Sequence, residues 1–118
     1  MAGIEMNDFS KPDEVRSPDH TTVEVVKLAG GEIGRYTFQP GWRWSEHIKP
    51  VVGTDSCQTE HVGYLVSGRM GVKSDDGSTA EVAPGSVYRI APGHDGWVVG
   101  DDPVVTIEFQ GAANYAKR

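Results

Sequence analysis

The chain carries its single cysteine, Cys57, four residues before His61, which opens an apolar run that ends at Gly68. A thiolate and an imidazole are both ligands for ions such as zinc, with bonds of about 2.0 to 2.3 Å. Four residues of a straight strand span roughly 13 Å, which is too far for one ion. If Cys57 and His61 share a metal site, the chain must therefore bend or bulge between them.

Each of these two residues also has an ordinary structural interpretation. His61 is either a metal ligand or a packed histidine whose ring is satisfied by a backbone carbonyl. Cys57 is either a thiolate ligand, which favours zinc, iron or copper over magnesium, or a small buried hydrophobic side chain.

Two more histidines complete the predicted metal ligands. His47 ends an alternating, strand-like stretch over residues 42–47, which predicts that it enters the same pocket from a neighbouring strand or else lies on the surface. His94 follows a Pro-Gly turn and is either a ligand or an exposed loop residue. His20 lies in a polar segment and is predicted to be solvated.

A pocket for a small organic ligand is predicted beside these residues. Such pockets are mainly hydrophobic and contain a few placed polar groups. Trp44 and Trp97 are the candidate apolar walls, and Arg43 and Asp95 are the candidate polar contacts. The alternative for the tryptophans is a place in the core or an interface, and the alternative for Arg43 is a solvated strand residue.

Composition excludes several classes of function. The 118 residues fit one domain, and a lone cysteine forms no internal disulfide, so a reduced, cytoplasmic location is predicted. The net charge of −6 and the lack of a basic run disfavour nucleic-acid binding. No apolar stretch approaches membrane-spanning length, and no nucleophile elbow, P-loop or dinucleotide fingerprint is present.

The elements that position these residues are predicted to be short strands. The 15 glycines and 7 prolines supply many turns, and β-branched runs lie between them. The predicted strands cover residues 22–28, 33–38, 62–67, 69–74, 78–82, 87–90, 97–99 and 104–109. This pattern predicts an all-β antiparallel sandwich or barrel over residues 21–111, after a polar arm (1–20) and before a tail (112–118).

Two segments resemble the motifs of the cupin family. Residues 64–68 resemble the end of the strand that closes the first motif, and residues 77–93, with turns at Pro84-Gly85 and Pro92-Gly93, resemble the second. The Cys57-x-x-x-His61 spacing is similar to that of a subgroup of single-domain cupins. The resemblance covers about residues 22–110 and implies an antiparallel double-stranded β-helix, the jelly-roll barrel.

The cupin resemblance also implies a metal site with an altered ligand set. Its alignment places His61 at the family's glutamate ligand, Cys57 at the second histidine and Asp55 at the first. His94 is out of step with the last histidine, whose slot falls on Gly96. The implied cofactor is a divalent transition metal, zinc, iron, copper, nickel or manganese, but the family's oxygen chemistry does not simply transfer. In the family these ligands lie on successive strands, which supplies the required bend.

Two functions are compatible with this sequence. The first is a small cupin barrel that binds a divalent transition metal and a small organic ligand, with the reaction and any catalytic activity left open. The alternative is a non-catalytic, metal-free barrel that binds or senses a small molecule. In either case a homodimer is expected, because cupins commonly pair through sheet edges and arms such as residues 1–20.

Overall fold

The computed structural model describes residues 3–117, which form nine strands and two four-residue helices. The strands are β1 (Glu14–Arg16), β2 (Thr21–Leu28), β3 (Gly31–Phe38), β4 (His61–Ser67), β5 (Met70–Ser74), β6 (Thr79–Val82), β7 (Val87–Ile90), β8 (His94–Val98) and β9 (Val104–Gln110). The helices are α1 (Trp44–His47) and α2 (Lys49–Val52).

The strands form two antiparallel sheets. The larger has the order β1-β2-β3-β9-β4-β7 and the smaller the order β6-β5-β8. Neighbours that are distant in sequence, such as β3 with β9 and β4 with β9, join strands from the two halves of the chain in the larger sheet. The predicted all-β jelly-roll architecture is therefore confirmed.

The core of the barrel follows from the two-residue alternation of its strands. In β2, Val23 and Val25 are fully buried while Glu24 between them faces outward, and Leu65 and Val104 are fully buried on β4 and β9. Burying each such side chain contributes about 1.5 to 3 kcal/mol. These apolar positions fix the register, because a slip by one residue would turn them outward.

The structure corrects the prediction of a strand over residues 42–47. Helix α1 begins after Arg43, whose carbonyl accepts hydrogen bonds from the N–H groups of Glu46 and His47. The alternation of two tryptophans with polar residues is strand-like, but Trp42 and Trp44 are both buried and line the same cavity. The following loop contains α2, where Pro50 lies in the first turn and costs no helical hydrogen bond.

The polar arm is also more ordered than its sequence indicates. Within it, β1 pairs antiparallel with β2 and extends the larger sheet by one strand. Arg16 of β1 donates hydrogen bonds to the carbonyl oxygens of Ala113, at 3.2 Å, and of Tyr115. The arm therefore fastens the C-terminal segment to the barrel.

Within residues 3–117 no helix combines the length and apolarity needed to cross a membrane. The cytoplasmic location and the homodimer stay predictions.

Candidate metal centre

Three predicted ligands, Cys57, His61 and His94, meet inside the barrel. One donor atom from each, the thiol sulfur and a ring nitrogen of both histidines, lies within 4.8 Å of the other two. The three residues are only 3%, 6% and 5% exposed. They form a closely spaced, water-shielded set of soft and borderline donors, which we call the Cys-His-His cluster.

The chain bends between Cys57 and His61, as their sharing of a site requires. Cys57 pairs with His94 through backbone hydrogen bonds, from the Cys57 N–H to the His94 oxygen (2.8 Å) and from the Gly93 N–H to the Cys57 oxygen (2.7 Å). Strand β4 begins only at His61, so residues 58–60 connect two separate strand alignments. The Cys57 sulfur consequently lies 3.7 Å from His61 Nε2.

A buried carboxylate orients the His61 ring. His61 Nδ1 lies 2.6 Å from Oε1 of Glu108, and because a carboxylate only accepts, Nδ1 carries the proton. Nε2 is therefore the nitrogen that faces the Cys57 sulfur. The second oxygen of Glu108 accepts a hydrogen bond from the Tyr88 hydroxyl, which also lies 2.6 Å from Oγ1 of Thr106.

His94 is oriented in the same way by a backbone acceptor. Its Nδ1 lies 2.7 Å from the carbonyl oxygen of Ala91, so Nδ1–H is the donor and Nε2 is the nitrogen left for the cluster. His94 is the first residue of β8, which begins three residues earlier than the predicted strand. Alternation along β8 buries His94, Gly96 and Val98, so the interpretation of His94 as an exposed loop residue is wrong.

The cluster favours a thiolate next to an imidazolium. Burial raises the pKa of the Cys57 thiol, but hydrogen bonds to His61 and His94 outweigh it and lower that pKa to about 6. Burial likewise lowers the pKa of His61, but hydrogen bonds to Cys57 and Glu108 outweigh it and raise that pKa to about 9. The thiol is therefore poised in the form that binds metals.

Glu108 is the residue of this site that the sequence analysis missed. It is 2% exposed and lies on the buried face of β9 with Val104 and Thr106. Glu108 lies two residues after Thr106 and four after Val104, so on a strand all three side chains point to the same face. A glutamate on the face that packs inward is a signal for a buried carboxylate. The sequence hides this signal because the residues on the other face of the strand, at positions 105, 107 and 109, are all apolar. The pattern therefore does not say which face of β9 points into the barrel.

The structure does not bring His47 to the Cys-His-His cluster. Helix α1 turns its ring toward His20, with ring centroids 4.3 Å apart, and toward a carboxylate oxygen of Asp19, 3.8 Å from Nε2. His47 Nδ1 accepts a hydrogen bond from the Arg43 N–H at 3.0 Å, so the neutral ring carries its proton on Nε2. No lone pair of His47 then faces Asp19 or His20. Asp19 is hydrogen-bonded to His20 Nδ1 at 2.9 Å, and His47 packs beside this pair without being placed as a metal ligand.

The four predicted ligand-binding residues separate into two places. Trp44 is buried and lines the cavity described below. Arg43, Asp95 and Trp97 lie together outside that cavity: the guanidinium of Arg43 lies 4.8 Å from the Trp97 ring and 3.5 Å from Asp95. Asp95 also accepts a hydrogen bond from the Ser45 N–H at 3.0 Å, so these three fasten α1 to β8.

Asp55, at the position of the family's first histidine, is fully exposed and takes no part in the cluster.

Two spaces adjoin the cluster. The inner cavity has a volume of about 30 Å³ and is walled by His61, His94 and a set of mainly aromatic side chains. The outer groove has a volume of about 270 Å³ and is bordered by Cys57, Gln58 and Lys117, among others.

The chain is similar to known proteins in its three-dimensional structure but not detectably in its sequence. No protein-family model matches the sequence, and a search of curated proteins finds no match. The polyketide cyclase RemF from Streptomyces resistomycificus is similar, with a TM-score of 0.60 and 19% identity over 89% of this chain and 77% of that one. KdgF from a Halomonas species is similar with a TM-score of 0.57 and 16% identity, over 83% of this chain and 87% of that one.

An oxalate decarboxylase from Bacillus subtilis is also similar, with a TM-score of 0.57 and 23% identity, over 87% of this chain but 29% of that longer one. At identities this low a likeness shows the fold and leaves the chemistry open. The chain is a cupin-like jelly-roll barrel.

Proposed function

We propose that this protein binds one divalent transition metal through Cys57, His61 and His94, and a small organic ligand beside it. One observation carries the proposal. Both histidines commit Nδ1–H to a fixed acceptor, Glu108 or Ala91, which leaves Nε2 as the nitrogen that can bind a metal in a cluster with the Cys57 sulfur.

This arrangement is typical of metal-binding histidines. A ligating histidine almost always donates its second ring N–H to a carboxylate or backbone carbonyl, which sets the tautomer and the ring direction. At zinc bond lengths the ligand atoms of a tetrahedral site lie roughly 3.3 to 3.8 Å apart. The Cys57 sulfur and His61 Nε2 already have such a separation, 3.7 Å, and a ring nitrogen of His94 lies within 4.8 Å of both donors.

The donor set favours certain metals. One thiolate with two imidazoles suits zinc, copper or iron better than magnesium or calcium, which prefer oxygen. Three protein ligands leave a fourth position open, as in catalytic rather than structural zinc sites. A metal bound there would supply a Lewis acid toward an oxygen of the organic ligand.

The protein's own groups control the protons at this site. Cys57 is already the thiolate near neutral pH, so it enters the site without losing a proton. His61 is an imidazolium until about pH 9 and must release the proton from Nε2. Glu108 keeps the remaining proton on Nδ1, so that Nε2 is the atom that is freed.

Zinc binding to the untagged protein tests the proposal. Equilibrium dialysis with elemental analysis should give one equivalent of zinc for the wild type. We expect Cys57→Ala, His61→Ala and His94→Ala each to weaken zinc binding by at least about 100-fold, with their folds checked by circular dichroism. His47→Ala is the matched control and should bind as the wild type does.

The competing function is a metal-free binding barrel. It would be favoured if the wild type retained less than about a tenth of an equivalent of zinc, iron, copper, nickel and manganese, each offered separately at concentrations that saturate ordinary zinc sites.

A further inference from the structure

Two side chains, Trp44 and Tyr115, line both spaces that adjoin the Cys-His-His cluster, and Tyr115 is the one that comes from the C-terminal turn. It lines the inner cavity together with His61 and His94, and it lines the outer groove together with Cys57. The donor atoms of the cluster therefore lie between the two spaces, and the Tyr115 ring is part of the wall between them.

The size of the inner cavity means that an organic ligand can lie beside His61 and His94 only if part of the surrounding wall moves. At about 30 Å³ the cavity has room for one or two water molecules. A ring of six carbons needs a cavity on the order of 150 Å³. An organic ligand beside His61 must therefore take space that is now filled, and the Tyr115 ring borders the much larger outer groove.

The Tyr115 ring packs as a planar ligand would. It stacks on Tyr36 with centroids 4.7 Å apart and planes at 18°, and it meets His61 edge to face at 5.3 Å and Phe38 at 6.3 Å. It comes from the C-terminal turn and from neither sheet. The space that it fills is thus a flat aromatic slot that opens onto the metal-binding histidine.

The segment that carries Tyr115 is held by main-chain hydrogen bonds and by the buried side chains of Ala112, Tyr115 and Ala116. The N–H groups of Asn114 and Tyr115 donate to the Gly111 oxygen at 3.1 and 3.0 Å, and Arg16 binds the carbonyls of Ala113 and Tyr115. The next residue, Ala116, has φ of 54°, a conformation that alanine rarely adopts. Hydrogen bonds and buried side chains therefore hold a strained turn over the site.

The slot contains a polar group that lacks a partner. The hydroxyl of Tyr36, a residue that is 1% exposed, has no hydrogen-bond partner within residues 3–117. Leaving a buried hydroxyl unpaired is costly, so such groups usually have a partner in the working state. The hydroxyl of Tyr115, whose ring stacks on Tyr36, does not accept this hydrogen bond, but a free ligand can turn its oxygen toward the Tyr36 hydroxyl because no backbone fixes its direction.

We propose that Tyr115 occupies the place of the natural ligand, and that this ligand is a small aromatic compound with an oxygen substituent. It enters through the outer groove, displaces the Tyr115 ring, stacks on Tyr36 and accepts a hydrogen bond from the Tyr36 hydroxyl. The inference rests on the proposed function only in placing this ligand beside a metal.

The test uses p-cresol, which reproduces the tyrosine side chain, and follows hydrogen exchange in the C-terminal peptide. In the wild-type protein, with and without zinc, p-cresol should speed exchange of the Asn114 and Tyr115 amides by at least about tenfold relative to free protein. The aliphatic alcohol 1-pentanol is the control probe and should leave exchange unchanged. Exchange in β2 should not change with either compound.

Variants separate displacement from simple cavity filling. Tyr115→Ala should bind p-cresol at least about tenfold more tightly than the wild type, because no side chain has to be displaced. Tyr115→Phe keeps the ring and should bind within about twofold of the wild type. Tyr36→Phe should weaken p-cresol binding about fivefold, because the ligand oxygen loses its donor.

Two results would overturn the proposal. The first is p-cresol binding that leaves the tail amides unchanged or slows their exchange. The second is an absence of binding to the wild type at the solubility limit of p-cresol, which would make Tyr115 a core side chain. The two proposals fail separately. If p-cresol releases the tail but zinc does not bind, only the proposed metal site is wrong. If zinc binds but p-cresol does not release the tail, only the proposed aromatic ligand is wrong.

Discussion

Glu108 and His61 are joined by a hydrogen bond of 2.6 Å between two side chains that are 2% and 6% exposed. A buried carboxylate is costly unless it is hydrogen-bonded on every side, and the Tyr88 hydroxyl completes its environment. The pair sets which nitrogen of His61 faces Cys57 and His94. Because Glu108 binds Nδ1, the other ring nitrogen of His61, Nε2, points to the same place as the donor atoms of Cys57 and His94.

Replacing Glu108 tests its orienting role. Glu108→Gln removes the charge and introduces an N–H that competes for the Tyr88 and His61 positions, so the His61 tautomer is no longer fixed. We expect zinc affinity to fall about 10- to 100-fold while the stoichiometry stays at one. Glu81→Gln, at an exposed glutamate, is the matched control and should leave the affinity unchanged.

The metal-free protein should show an unusually acidic thiol. Thiolate absorbance should appear with a midpoint near pH 6, because His61 and His94 stabilise the anion. His61→Gln should move this midpoint upward toward the ordinary value of 9.0. A wild-type thiol that ionises only near that ordinary value would show that no thiolate–imidazolium pair forms.

Zinc affinity should depend on pH with a defined sign. The pKa of His61 is raised, so below about pH 9 its proton must be released for zinc to bind, and affinity should rise about tenfold per pH unit between about 6 and 9. Below about pH 6 the slope should steepen as Cys57 also becomes protonated. Calorimetry in buffers of different ionisation enthalpy counts the released protons, and an affinity independent of pH from 6 to 9 would contradict the assignment.

Gly63 keeps the carboxylate network in place. A Cβ built there would lie 2.7 Å from the Tyr88 hydroxyl and 2.7 Å from the backbone oxygen of Ile107, so an alanine must push one of them away. We expect Gly63→Ala to lower the free energy of unfolding by about 1 to 3 kcal/mol and to weaken zinc binding. Gly3→Ala has open space around it and is the control in the same denaturant titration.

Arg16 should control access to the site. Arg16→Ala removes the side chain that binds the carbonyls of Ala113 and Tyr115, so tail amides should exchange faster and p-cresol should bind more tightly. Arg69→Ala, at an exposed arginine in the connection between β4 and β5, should change neither. Equal effects of both substitutions would mean that the change is a general loss of stability.

The sequence predicts the barrel well because its strands repeat every two residues and its turns contain glycine and proline. It places Cys57, His61 and His94 as candidates by residue type, but the pairing of Cys57 with His94 is a tertiary contact. His47 is misplaced because a four-residue helix is too short to leave a periodic signal. The sequence does not single out Tyr115, because the turn that carries it has no hydrophobic periodicity. Its position beside the cavity is a tertiary contact with the barrel.

Cobalt substitution tests the central claim most directly, because Co²⁺ reports both the geometry and the thiolate. The wild-type protein with one equivalent of cobalt should show the intense visible bands of a tetrahedral site and a sulfur-to-cobalt charge-transfer band. Cys57→Ser should lose the charge-transfer band, and His47→Ala should keep it. A wild-type spectrum indistinguishable from that of aqueous cobalt would contradict a metal centre at Cys57, His61 and His94.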